Sequence, residues 1–491
     1  MRDRGGTARH VLGFNTFWSS KDIALERLSF GVFLCAVAWA PFPLGSNRPW
    51  SWSLLVLLIT GVWILWCCSI WRNPKTVGRL SRGLLGPIIL GLLAIGWGII
   101  QVVPFVPADW ARPAWRIAAE VTGREVAPTI SVLPWRSTTE IMKLSSYVMA
   151  AWLARVFARE PKQADILLNA LVAIGAFYAA YGFVLVLIGQ SQFEIFYGMP
   201  LQQVARDFPG PFVNHNSFAT YEGLIAVCAG VRLVSGGWHQ TEKVQGVRAH
   251  LTHLAQYLLG RGIAWLLATA LAFSAVLSTG SRGGNLATWA AMIALVLIAL
   301  GLATPQKRGW ATLAIASSVM ITALALLEMN GGSLSSRLND MSSSGATDKT
   351  RLLLWNDAVH MIHNAPLTGW GLGTYQIVYP LFSTTPMPFI MDKAHNDYLE
   401  LAAGWGLPAA VLWWVALLWL NGVCLRGLFV RRSNLLFPAL GIGASILVGI
   451  HSLFDFSLQM PAVALTYATI LGMGVGQAFA KSDRSRIGSQ T

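Results

Sequence analysis

The sequence predicts an all-α polytopic membrane protein with about twelve transmembrane helices and one large helical loop outside the bilayer. Three observations carry that prediction. Of the 491 residues, 54% are hydrophobic and only 12% are charged, whereas soluble domains average about 25% charged residues. Mean hydropathy is +0.53. Apolar runs of the length a bilayer core demands, about 20 residues per helix, recur from end to end, and basic residues gather beside alternate runs.

In order, the candidate spans lie near 28–45, 50–71, 84–103, 139–158, 166–188, 214–234, 262–279, 285–303, 309–328, 404–425, 435–454 and 461–480. The first, fourth and sixth are the shortest or most polar, so ten or eleven is the lower count. The chain then divides into a tail, 1–27, nine spans within 28–328, a loop at 329–403, three spans within 404–480 and a tail at 481–491. The apolar run from Leu28 is span-length and leads straight into further spans, so it reads as a retained first helix and not a cleaved signal.

A net charge of +14 raises the question of nucleic acid, but its distribution argues against that partner. With the amino terminus in the cytoplasm, 24 of the 36 Lys and Arg residues fall on that side, Arg72, Lys75, Arg79, Arg82, Lys307, Arg308, Arg431 and Arg432 among them. This is the positive-inside pattern. The other 12 lie mostly in two long outer loops, near 104–138 and 329–403, and both termini face the cytoplasm. Cys35, Cys67, Cys68, Cys228 and Cys424 all fall within or beside spans, so neither a disulfide framework nor a thiolate metal site is expected.

The loop at 329–403 divides in two. Asn330 to Thr350 is rich in Ser and Gly and reads as mobile. From Arg351 to Asn364, Leu352, Trp355, Val359 and Ile362 recur at helical spacing, with Pro366 after the stop, which predicts an amphipathic helix. A second short helix, capped by Asp392, is expected to run through His395, Tyr398 and Ala402 into the next span. Together the two would form a lid over the membrane mouth.

Four constellations are chemically suggestive. Ser281-Arg282-Gly283-Gly284 forms a tight outer turn. An Arg at a span end also snorkels, but Arg282 is the only cation of this turn, on the side where cations are scarce, and its glycines admit a ligand to the backbone. Arg351 stands four residues before Trp355, where its stem would pack on the indole in the plainest reading. His395 is expected in the first turn of the second lid helix, where the positive end of the dipole keeps a ring neutral, the form a general base requires. Asp392 is a candidate to orient it. Asn214-His215-Asn216 opens the sixth span; capping accounts best for Asn216, and a hydroxyl or phosphate contact better for His215. No D-x-D, H-E-x-x-H or Cys/His ligand spacing occurs, so neither a metal nor any other cofactor is expected. Gly369-Trp370-Gly371-Leu372-Gly373 lacks the strand, helix and Lys of a nucleotide loop.

Arg351-x-x-x-Trp355-x-x-Ala358, Pro366-x-x-Gly369-x-Gly371-x-Gly373 and His395-Asn396-Asp397-Tyr398-Leu399-Glu400, with Ser281-Arg282-Gly283 and the Asn214–Ala219 stretch upstream, resemble the O-antigen ligase and O-antigen polymerase superfamily of bacterial membrane glycosyltransferases. The resemblance covers roughly residues 205–420. It implies a GT-C-like helical fold in the bacterial inner membrane. It implies metal-free transfer of a glycan from a polyprenyl (undecaprenyl) diphosphate carrier to an acceptor hydroxyl at the periplasmic face. Arg282 and Arg351 match the family's diphosphate-binding arginines and His395 its loop histidine. Asn214, His215, Asn216, Trp355, Asn396 and Tyr398 are the further candidates for substrate contact. Expected partners are the lipid-linked glycan donor, a lipid A core or growing-chain acceptor, and membrane lipid; oligomeric state is not legible. Gly404 and Ala409 depart from the Glu and Gly usual in the family. Ligase is preferred over polymerase and over transfer to protein hydroxyls. A transporter would place ionisable residues at mid-membrane, but here they crowd the outer mouth. A non-catalytic assembly partner would tolerate Arg282→Lys.

Overall fold

A computed structural model of the protein describes residues 20–71, 83–198, 208, 210–241, 246–302, 334–384, 390–431 and 434–479. The described residues fold as helices and turns without a strand. The helices are α1 (Ser20–Trp39), α2 (Pro49–Ile70), α3 (Leu85–Val102), α4 (Pro113–Thr122), α5 (Pro134–Phe157), α6 (Pro161–Leu187) and α7 (Gln192–Tyr197). They continue with α8 (His215–Thr241), α9 (Val247–Leu259), α10 (Ile263–Ser278), α11 (Arg282–Leu302), α12 (Leu334–Asn364), α13 (Tyr375–Val378), α14 (Asp397–Trp405), α15 (Leu407–Val430), α16 (Leu436–His451) and α17 (Pro461–Ala478).

Six helices are long and apolar enough to cross a bilayer: α2, α3, α6, α8, α11 and α15; α9 and α10, bent by 74° where they meet, make a seventh span if taken together. The chain is therefore a polytopic membrane protein, with fewer such spans among the described residues than the twelve expected. The expected span at 309–328 lies outside the described residues. The remaining differences have physical causes. α1 carries Lys21, Asp22, Glu26 and Arg27, and α5 carries Arg136, Glu140, Lys143 and Arg155, so their mean apolarity is low. α16 has only 16 residues.

α17 is different again, because every residue from Pro461 to Gln477 is buried. It is the pillar around which α5, α8, α15 and α16 pack. A helix that meets helices instead of lipid needs small residues more than apolar ones. A Cβ on Gly472 would stand 2.2 Å from the Ala151 carbonyl oxygen, and one on Gly476 2.5 Å from that of Arg155. The main apolar core spreads from this pillar through Leu153, Phe157, Leu224, Ile225, Leu447 and Ile470.

The loop differs from expectation in three respects. The segment from Leu334 onward, which composition marks as mobile, is helical and continuous with the predicted helix, giving α12 31 residues. Its buried side is Leu354, Ala358 and Met361, while Leu352 and Val359 of the predicted apolar stripe are exposed. Those three pack with Tyr375, Val378, Tyr379, Ala394 and Ala403 in a second, smaller core. The helix after it begins at Asp397, so Asp392 is exposed and caps nothing. Asn396 is the cap, its side chain accepting from Leu399 N at 3.0 Å. Gly406, at φ +80°, separates α14 from α15.

The glycine-rich segment is the joint between lid and membrane bundle. Trp370 N and Gly371 N each donate at 2.9 Å, to the carbonyls of Ala403 and Gly404. Gly369, Gly371 and Gly373 have φ of +66°, +101° and +70°. A Cβ on Gly371 would lie 2.3 Å from Ser131 Oγ. Gly404 closes the joint from the other side: a Cβ there would meet the Gly371 oxygen at 3.1 Å, a tight contact that a side chain would press apart.

Candidate active site

A polar cleft of about 190 Å³ opens at one end of the bundle, lined by His215, Asn216, Gly280, Ser281, Arg282, Gly283, Arg351, His451, Phe454 and Asp455. Pockets that engulf a whole drug-sized ligand measure about 300–1,000 Å³, so this cleft fits a compact polar head group. A roomier groove of about 370 Å³ between α3 and α15 is lined by apolar residues and one indole, including Leu92, Trp97 and Leu412, and offers no acid or base.

Two helix starts form the cleft floor. At α8 the capping residue is Asn214, whose Oδ1 accepts from Asn216 N at 2.7 Å and Ser217 N at 3.3 Å. That releases the His215 and Asn216 side chains toward the cleft. At α11, Ser281 Oγ accepts from Gly284 N at 3.1 Å, and Arg282 begins the helix. A Cβ on Gly284 would come within 2.6 Å of the Ala219 Cβ, so the two helix starts sit side by side only because this residue has none. Helix N-termini carry partial positive charge and unsatisfied N–H groups, which favour anions. Arg282 and Arg351 add guanidinium groups at the same place.

The histidines have defined partners. His215 Nδ1 lies 2.8 Å from the Thr279 carbonyl oxygen. A carbonyl only accepts, so Nδ1 carries the proton and Nε2 is left for a ligand. His451 Nδ1 lies 2.8 Å from Thr220 Oγ1 and 2.9 Å from Ser457 Oγ. His395 Nδ1 lies 3.3 Å from Asp455 Oδ1, and its ring meets the Phe456 ring edge-on. Burial pushes the Asp455 carboxyl up, but the hydrogen bond from His395 and the fields of His451 and His395 outweigh it and hold Asp455 below the usual range. As a carboxylate it accepts, which assigns a proton to His395 Nδ1 and leaves Nε2 as the ring nitrogen that Asp455 does not engage. His395 reaches the cleft wall through Asp455, and it is Asp455, not Asp392, that orients the ring.

His395 has φ +50°, a conformation uncommon outside glycine that costs on the order of 1–3 kcal/mol. Polar contacts on both sides hold it. Ala394 N donates to Glu400 Oε2 at 2.9 Å, and Lys393 pairs with Glu400 at 3.3 Å and with Gln459. Asp397 N donates to the Ser452 oxygen, while its carboxylate accepts from Ser452 Oγ at 2.8 Å and Gln459 Nε2 at 3.1 Å. Burial pushes the Asp397 carboxyl up to about 7, against the lowering by Ser452 and Gln459.

Of the sequence candidates, Arg282, Arg351, His215 and Asn216 line the cleft together. The other candidates have scaffolding contacts. Trp355 Nε1 donates to the His395 oxygen at 3.3 Å. Asn396 is occupied by the cap and by the Leu453 carbonyl at 3.0 Å. Tyr398 donates to the Gly449 carbonyl at 2.9 Å. Sequence reasoning missed His451, Phe454 and Asp455. Two ionisable groups at the outer end of an otherwise apolar span were the available signal. The chain also holds Glu222, fully buried in α8 and two turns below His215, with no hydrogen bond to either oxygen.

Fold and cleft thus define a polytopic membrane protein with a cationic, histidine-bearing site at one end of its helices. A protein-family model described as O-antigen ligase matches residues 267–414, which supports the likeness to the O-antigen ligase and polymerase superfamily. The match contains Arg282, Arg351 and His395; His215, His451 and Asp455 lie outside it. It supports a membrane enzyme of the O-antigen ligase type. The curated proteins contain no match to the chain.

Proposed function

We propose that this protein is an inverting, metal-independent glycan transferase with a GT-C-like frame. It takes a glycan from a polyprenyl (undecaprenyl) diphosphate at the periplasmic face of a bacterial inner membrane and passes it to a hydroxyl of lipid A core, as an O-antigen ligase. The single observation that carries this reading is the convergence of Arg282 and Arg351 on one cleft with two helix N-termini, beside the His395–Asp455 pair. A departing diphosphate calls for planar, permanently charged, bidentate donors, which Arg supplies and Lys does not.

In this mechanism the acceptor hydroxyl attacks the anomeric carbon, its proton passes to His395 Nε2, and the bond from that carbon to the diphosphate oxygen breaks. The diphosphate leaves on its carrier, stabilised by Arg282 and Arg351. The energy comes from the carrier bond, so no nucleotide is needed. General-base catalysis contributes about 10²- to 10⁴-fold, and Asp455 keeps the imidazole in the tautomer that accepts.

The test is transfer by purified protein in lipid, with EDTA, a polyprenyl-diphosphate oligosaccharide and either lipid A core or excess donor, followed by mass spectrometry. Glycan on lipid A core is the expected product. Lengthened chains on the carrier would make the protein a polymerase. No transfer to either acceptor by folded protein would overturn both readings and direct the assay to protein hydroxyls, then to transport.

A further inference from the structure

α4 is an anomaly for a folded protein, because none of its residues is buried. Isolated helices shorter than about 12–15 residues are marginal in water, and α4 has ten. Its side chains are nonetheless sorted. Ala114, Ile117, Ala118 and Val121 follow helical spacing along one side, with Ile117 54% and Val121 80% exposed. Arg116 and Glu120 pair at 3.7 Å on another side.

The depth of α4 is fixed by its flanks. Ser131 N donates to the carbonyl of Gln101, next to the last residue of α3, and Arg112 N, just before α4, donates to that of Thr129. Two residues of extended chain advance about 7 Å, and each hydrogen-bonded pair adds about 5.5 Å between Cα atoms, so the start of α4 is tied to within roughly 18 Å of the end of a membrane span. Interfacial zones are about 5–8 Å thick on each side of a core of about 30 Å. Trp110 packs on Trp97, inside α3, at 5.7 Å between ring centroids. Exposed Phe105 and Trp135 flank α4 in sequence, and exposed Ile99 and Ile100 of α3 continue the apolar surface toward the bilayer. Aromatic residues concentrate at this depth in membranes.

We propose that α4 lies in the lipid headgroup zone on the cleft side of the membrane, with Ile117 and Val121 seated in the acyl boundary and the Arg116–Glu120 pair in water. The occupant of its apolar side is the lipid leaflet itself, as for other interfacial amphipathic helices. The helix is also wired to the lid. Arg112 Nη2 donates to Thr368 Oγ1 at 2.6 Å and to the Gly369 carbonyl, and its guanidinium covers the Trp370 ring at 4.4 Å. Leaflet depth thereby sets the height of the glycine-rich joint over the cleft.

The experiment is collision accessibility of a nitroxide on the full chain in nanodiscs of phosphatidylethanolamine and phosphatidylglycerol. Labels go on Ile117→Cys, Val121→Cys and Glu120→Cys, with Leu92→Cys as a lipid-facing reference and the signal of the unsubstituted chain subtracted. Oxygen, which partitions into lipid, is compared with a water-soluble nickel chelate. The expected result is an oxygen-to-nickel ratio several-fold higher at 117 and 121 than at 120, approaching that at 92. Equal ratios at all three positions of α4 would put the helix in water and overturn the proposal. Shielding of 117 and 121 from both agents would show a protein partner there and overturn it equally.

Discussion

The floor of the cleft and its lid are built differently. Arg282, His215 and Asn216 stand on the first turns of α11 and α8, helices of 21 and 27 residues seated in the bundle. Their caps, Ser281 and Asn214, come from the adjoining chain. His395 stands on a segment with positive φ, fixed by a small apolar cluster and by buried polar contacts with residues 452–459. The difference teaches that charge placement here is a property of local chain, whereas base placement is a property of contacts between distant segments. Substitutions in the floor, and of Arg351, which α12 brings to it, should therefore act on donor binding, and substitutions around His395 on turnover.

The largest expected effect is at the base itself. His395→Ala should slow single-turnover transfer by about 10²- to 10⁴-fold while leaving donor affinity near that of the wild type; an unchanged rate in folded protein would remove His395 from the reaction. Arg282→Lys keeps the charge and loses the fork, so donor affinity should fall roughly 10- to 100-fold, the equivalent of about 1.5–3 kcal/mol for a hydrogen bond to a charged group. Titration of donor binding by calorimetry checks this, and an unchanged affinity with a loss in turnover alone would erase the distinction between floor and lid.

Asp455→Asn tests whether the lid acts through orientation. It should lower kcat about 10- to 100-fold, the equivalent of roughly 1–3 kcal/mol for a disrupted buried hydrogen bond, with little change in KM. A merely structural Asp455 would instead alter both constants together with the melting temperature. Gly371→Ala places a Cβ 2.3 Å from Ser131 Oγ at φ +101°, and should cost on the order of 1–3 kcal/mol in lid docking. Faster hydrogen exchange over residues 366–405, with α8 and α11 unchanged, is the readout.

The smallest effect is electrostatic. The Asp397 carboxyl sits at about 7 when folded, above its ordinary value of 3.8, so the folded lid holds this proton more tightly than the released lid does. Its contribution is full below about pH 4 and is lost as pH rises through about 7. Lid docking followed by exchange should weaken across that window. Asp397→Asn should flatten the dependence; an equally steep profile in the variant would assign the titration elsewhere.

The parts legible in the sequence are those with short-range causes. Apolar run length located α2, α3, α6, α11 and α15, because a lipid-facing helix must be apolar whatever its neighbours, and also α8, although other helices enclose most of it. The run at 461–480 located α17 too, but not its setting, since helices surround it and its glycines answer to Ala151 and Arg155 instead of lipid. The helix after the lid loop shows a comparable limit. The sequence reading puts its cap at Asp392, whereas the structure uses Asn396, whose Nδ2 donates to the Leu453 carbonyl.

By itself, then, the sequence determined that the chain belongs in a membrane, that Arg282 and His215 stand near helix starts at its polar margin, and that a loop histidine lies close in sequence to an acidic helix start. Tertiary structure alone decided that Asp455 and His451 join them, that Asn214 caps while Asn216 faces the cleft, and that Trp355, Asn396 and Tyr398 serve as scaffold. The physical reason is range. Helical periodicity and capping act over three or four residues, whereas the His395–Asp455 hydrogen bond and the meeting of Gly284 with Ala219 join residues about 60 positions apart, for which no local pattern carries a signal.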